Sequence, residues 1–141
     1  MESCFYCEKN AKLDSIMIKI RELSWSIVYL NRNQALRGRI IVAFKDHKTE
    51  YFQLSAEERA GFFAEVCLAA EAIHRLFKPG KINYATFGDL VPHAHFHVVP
   101  KYADRVHWGK PYADEPNERL SDAEYRELID SIGAEIDRLK K

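Results

Sequence analysis

Apolar positions along this chain recur with two different periods, and the switches between them mark out its elements. SIMIKIRE (residues 15–22) and WSIVYLN (25–31) alternate or run apolar and predict strands, the first leaving room for a helical turn at its start. RGRIIVAFK (37–45) predicts a third strand, bounded by Gly38 and by the polar KDHKTE. The period then becomes helical. Phe62, Phe63, Val66, Ala69, Ala70, Ile73, Leu76 and Phe77 form a stripe behind Ser55 and Glu58. Those two make a capping box worth about 1 kcal/mol, and the sequence KPG stops the helix. KINYATF (81–87) and HAHFHVVPK (93–101) predict two more strands, joined by the turn GDLVP. A polar loop rich in turn residues leads to a last helix over about 121–139, capped by Ser121 and Glu124. Its apolar stripe is Tyr125, Leu128, Ile129, Ile132, Ile136 and Leu139. The element order predicts an α+β fold with helices on one face of an antiparallel sheet.

Within the fifth predicted strand, VPHAHFHVVPK places His93, His95 and His97 at alternating positions. Alternation is the strand period, so the three imidazoles are expected on one face and Ala94, Phe96 and Val98 on the other. Adjacent imidazoles repel when protonated and are costly to desolvate, so such a row is expected to serve a purpose. A neutral imidazole is a nucleophile at neutral pH without any correction to its pKa, which makes His95, the middle one, the candidate nucleophile. His97, two residues on, can hydrogen-bond an oxygen on which charge accumulates. The same three residues could instead hold a catalytic metal, since His-x-His supplies two ligands in many metalloenzymes.

Composition narrows the field. A chain of 141 residues, 47% hydrophobic and 12% aromatic, is long enough for one domain with a real core. Lys and Arg (21) balance Asp and Glu (21), and no long basic block is present, so no footprint for nucleic acid is expected. No apolar run approaches a membrane span, and MESCFYCEKN lacks the apolar core of a signal peptide, which predicts a cytoplasmic protein with no membrane contact. Three cysteines, two of them spaced as Cys4-x-x-Cys7, favour metal binding or free thiols over a disulfide framework in a reducing compartment.

The run from His93 to Val99 is similar to the signature of the histidine-triad (HIT) superfamily, three histidines alternating with apolar residues and followed by two more. The likeness extends over most of the chain: the C-x-x-C, LNRNQALRGRIIV where the family has its nucleotide-binding strands, a later histidine, a long helix, an Asn, and a Gly five residues before the triad. It implies a single domain over residues 1–141, with an antiparallel five-stranded sheet and two helices on one face. It also implies hydrolysis or transfer at the α-phosphorus of a small AMP-like nucleotide, either a phosphoramidate or a dinucleoside polyphosphate. His95 would carry the nucleotidyl group and His97 would support it. Asn31 would meet the ribose, Tyr29 and Ile41 would wall the base pocket, and Asn83 would lie near the phosphate. Zinc, as a structural cofactor, would take Cys4 and Cys7 from a knuckle in residues 1–12 together with His47 and His93. Asp89 departs from relatives that carry an amide there. A carboxylate repels an oxyanion, so Asp89 is expected to turn away and cap its turn, to act protonated, or to face a cationic leaving group. The resemblance also implies a homodimer, which the wide apolar stripe of the helix over 55–77 supports. A nucleotide-binding module of the same fold without turnover is the other reading of these residues.

Overall fold

The structure, a computed structural model, describes residues 4–140. Two short helices, α1 (Phe5–Glu8) and α2 (Ala11–Ile16), lead into strands β1 (Met17–Glu22), β2 (Ser26–Asn31) and β3 (Ile40–Phe44). A 3-10 turn at Tyr51–Gln53 precedes the long helix α3 (Ala56–Phe77), and β4 (Lys81–Ala85), β5 (His95–Lys101) and α4 (Asp122–Leu139) follow. The five strands form one antiparallel sheet in the order β1-β2-β3-β5-β4.

β2 and β3 are buried along their whole length, which is why they read as apolar runs and not as alternations. Both faces of the sheet are covered. One carries Val28, Leu30, Ile40, Val42 and Val98 against Phe62, Val66 and Ile73 of α3 and Ile132 and Ile136 of α4. This is the main core, with the two long helices on one face as expected. Phe62 is its hub: its ring lies 5.3 Å from Phe44, 5.9 Å from Phe96 and 6.4 Å from Tyr51. The other face carries Ile27, Tyr29, Ile41 and Ala43 under Cys4, Tyr6 and Leu13.

The capping boxes at Ser55/Glu58 and Ser121/Glu124 are both formed. α3 ends where Lys78 turns left-handed and sends its N–H to the His74 carbonyl, one residue before Pro79. The N-terminal segment differs from a plain strand. The helical turn ahead of β1 is a helix of 6 residues, capped by the Asn10 side chain, which accepts from the Leu13 N–H at 3.2 Å. Glu65 of α3 also does more than face solvent. Its carboxylate accepts from the N–H groups of Ser24 and Trp25 and from the Ser26 hydroxyl, which fastens the β1–β2 turn to the helix. Gly38, just ahead of β3, holds φ +97°, and a Cβ there would stand 2.7 Å from the Phe77 ring. Only glycine fits both demands.

Phe62 is 2% exposed and sits among three other rings, so replacing it leaves a cavity that rigid strands cannot close. Phe62→Ala is expected to cost about 3–5 kcal/mol of stability, read as a lower denaturation midpoint with an unchanged slope. A loss below about 1 kcal/mol would show that the ring cluster is not the centre of the core.

Candidate functional site

The face away from α3 and α4 carries the site. Register sets Ala43 opposite His95 and Ile41 opposite His97, so both imidazoles stand on the side away from the main core. Phe96 and Val98 point to the helices, as the alternation requires. His93 precedes β5, yet its ring lies on the same side, 5.1 Å from the Tyr6 ring, and the His95 ring lies 5.2 Å from that tyrosine.

The three rings differ in their hydrogen bonds. His95 Nδ1 lies 2.6 Å from the His93 carbonyl oxygen. A carbonyl only accepts, so Nδ1 carries the proton and Nε2 keeps its lone pair. Burial lowers the His95 pKa from the usual imidazole value, against the pull of that carbonyl, and favours the neutral ring. His97 is pushed down to about 3, by burial first and then by the neighbouring charges of His95 and Arg39. Its Nδ1 is buried and has no hydrogen-bond partner among the described residues.

His93 is turned the other way. Its Nε2 donates to the Phe44 carbonyl at 2.7 Å, which leaves the Nδ1 lone pair facing outward. Cys4 Sγ at 3.4 Å, Cys7 Sγ at 3.6 Å and His47 Nδ1 at 3.4 Å surround that nitrogen. Cys7 Sγ and His47 Nδ1 are 3.3 Å apart, and all four donor atoms lie within 4.8 Å of one another. Tetrahedral zinc, with bonds of about 2.3 Å to sulfur and about 2.0 Å to nitrogen, spaces its ligands roughly 3.3–3.8 Å apart. Two soft thiols and two imidazoles at this separation are a donor set that could hold such a metal. Only His93 of the triad joins it; His95 and His97 stand outside.

In front of His95 and His97 opens a cleft of about 860 Å³. Asn31 lines it, buried, with its Oδ1 accepting from the Asn33 N–H at 2.8 Å, which leaves the amide NH2 for a ligand. Ile41 lines it too. Tyr29 does not reach the wall: it is buried beneath Tyr6, with 6.1 Å between ring centroids. Asn83 shares the site face through its pairing with Val99, but its Oδ1 accepts from Lys101 Nζ at 3.3 Å and it stands off the cleft wall. Asp89 is exposed on the wall and its carboxylate accepts no hydrogen bond among the described residues, so it does not cap its turn.

Several residues of the wall escaped the reading of the sequence. Phe5 and Tyr6 come from a helix of 4 residues, too short to have a period. Phe87, Tyr112 and Asp114 come from irregular loops, and only their clustering in space marks them. Arg39 was a signal within reach, a cation placed directly ahead of an apolar strand.

This fold and this site define a class. The HIT domain family model matches residues 16–104, more than half of the chain, and the chain belongs to that family. It is 27% identical over 139 residues to the adenosine 5'-monophosphoramidase hnt1 of Schizosaccharomyces pombe, covering 95% of this chain and 98% of that one. Protein hit of Bacillus subtilis is 27% identical over 122 residues, covering 81% and 83%. Among solved structures, a histidine triad protein from Bradyrhizobium japonicum superposes with a TM-score of 0.82 at 20% identity, over 90% of this chain and 96% of that one. A structure described as a Zn-bound histidine triad family protein from Mycobacterium smegmatis gives 0.67 at 23% identity, over 98% and 96%.

Proposed function

We propose that this chain is a nucleotide hydrolase or transferase that cleaves at the α-phosphorus of a small AMP-like nucleotide through a covalent intermediate on His95. The observation that carries this is the 2.6 Å bond from His95 Nδ1 to the His93 carbonyl, which frees the Nε2 lone pair beside the cleft. Nε2 forms the bond to phosphorus, and the bond to the leaving group breaks with its electron pair on that group. An amine leaving group takes the proton it needs from solvent; a phosphate leaves as the anion. The positive charge on the nucleotidyl-imidazole is then shared with Nδ1–H and steadied by the His93 carbonyl. Water attacks phosphorus in the second step, the P–N bond breaks back to Nε2, and the water's proton goes to solvent. His97 donates a hydrogen bond to a phosphoryl or leaving oxygen, and Asn31 offers its NH2 to the ribose. The monophosphoramidase relative supports an adenine nucleotide with a P–N bond, while the exposed Asp89 suits a cationic amine departing along the wall.

The four-donor cluster supports structural zinc, as does the zinc-bound relative. Bound there, zinc would supply a rigid cross-link between the N-terminal segment, the loop after β3, and His93. Because the His93 carbonyl holds His95, that cross-link would steady the nucleophile. A homodimer through α3 and β4 is supported by the exposed Phe63 on α3 and Tyr84 on β4, and by the free edge that β4 presents at the end of the sheet.

His95→Ala is expected to abolish turnover of adenosine 5'-phosphoramidate while leaving AMP binding intact, because it removes the nucleophile and not the pocket. Retention of about a tenth of wild-type turnover, a barrier change of only about 1.4 kcal/mol, would sink the covalent route. Loss of binding without loss of turnover would do the same.

Metal analysis of untagged protein, prepared reduced and without chelators, is expected to find close to one zinc per chain. The Cys4→Ser, Cys7→Ser double variant should lose it and melt lower, with a stability loss of several kcal/mol, yet keep part of its activity. Protein prepared in this way without zinc would overturn the assignment. Light scattering at micromolar concentration should report twice the 16.4 kDa chain mass, and a 16.4 kDa particle would end the dimer.

A further inference from the structure

Two buried polar atoms of this site have no hydrogen-bond partner among the described residues: Arg39 Nε and His97 Nδ1. Folded proteins pair nearly all such atoms, so two orphans in one wall call for an explanation. Arg39 is 5% exposed and lines the same cleft as His97. It stands two residues ahead of Ile41, hence on the same face of the sheet, and Ile41 is the strand partner of His97. That diagonal spans about 7–8 Å between backbones, within reach of a long side chain.

The guanidinium is held in place from two sides. Asp114 Oδ1 accepts from its Nη2 at 3.2 Å, and its Cζ lies 4.7 Å from the Tyr112 ring centroid. The same Tyr112 ring lies 5.8 Å from His97, so one aromatic ring packs against both orphans. The chemistry of the pair is one-sided. Arginine stays protonated and its N–H groups only donate, so a water held on Nε–H turns its own O–H groups away from the cation and toward an acceptor nitrogen.

We propose that Arg39 is a positioning residue for His97: one bridging water accepts from its Nε–H and donates to His97 Nδ1, which keeps the ring proton on Nε2. With Nδ1 buried, Nε2 is the nitrogen of His97 on the cleft side. The ring therefore presents a donor to the substrate. The opposite tautomer would present a lone pair to an oxygen on which negative charge grows. No proton is transferred, since a neutral imidazole that gave up Nε2–H would become an imidazolate; His97 holds its proton and stabilises charge by hydrogen bonding. The charge of Arg39 and the burial of the ring both favour that neutral form. His95 and His97 thus hold opposite tautomers. A backbone acceptor fixes the first as a nucleophile, and an arginine donor, through that water, fixes the second as a hydrogen-bond donor. This role in turnover rests on the function proposed above, but the tautomer itself does not.

Long-range nitrogen–proton NMR of the wild-type protein reads the tautomer without any substrate. The expected spectrum shows His97 protonated at Nε2 with Nδ1 as an acceptor, and His95 protonated at Nδ1. His97 protonated at Nδ1 would overturn the proposal, and this reading needs no variant to fold. In Arg39→Met the His97 signals should move toward a mixture of tautomers while those of His95 stay, and kcat for adenosine 5'-phosphoramidate should fall by at least about tenfold with a smaller change in KM. An unchanged His97 tautomer in that variant would overturn the proposal. A wild-type protein with the expected tautomers but no turnover would sink the proposed function and leave the assignment of Arg39 standing.

Discussion

The pairing of β3 with β5 is the constraint on which the site depends. It fixes Ala43 opposite His95 and Ile41 opposite His97, and it is enforced from the other side of the sheet. Val98 is buried and Phe96 half-buried under α3, with the Phe62 ring 5.9 Å from Phe96. A slip of one residue would expose both of those side chains and drive two imidazoles into an apolar core. Packing on one face therefore holds the chemistry on the other.

His93 joins the two halves of the site. Its ring faces Cys4, Cys7 and His47, while its backbone carbonyl accepts the His95 Nδ1 proton at 2.6 Å. Its own Nε2 is tied to the Phe44 carbonyl at the end of β3. One residue thus touches the donor cluster with its side chain and the middle histidine with its backbone, and β3 anchors it. Anything that orders the cluster also orders the carbonyl that sets the state of His95.

Three histidines in one row are held in three different ways because each has different surroundings. His93 donates from Nε2 to a carbonyl, His95 from Nδ1 to a carbonyl, and His97 meets neither. Burial keeps the rings neutral, and only the hydrogen-bond partner then distinguishes one nitrogen from the other. Tyr6 covers the first two rings, while Phe87 and Tyr112 flank the third at 5.8 Å each.

Much of this was written in the order of residues. Alternation around His95 put the imidazoles opposite Phe96 and Val98, the stripes behind Ser55 and Ser121 gave both long helices, and the triad motif with its C-x-x-C named the donors that meet at His93. These are local features, because a strand or helix period and a cap depend on neighbours in sequence. The rest depended on residues far apart in the chain. No period could show that Tyr6 would shield Tyr29 from the cleft, that Lys101 would engage Asn83, or that Asp89 would line the wall without capping its turn. Nor could it show which nitrogen of each imidazole keeps its proton. The sequence by itself determined which faces are apolar and which residue types share them; the tertiary structure decided the partners, since a hydrogen bond is settled by which donor and acceptor the folded chain brings within about 3 Å.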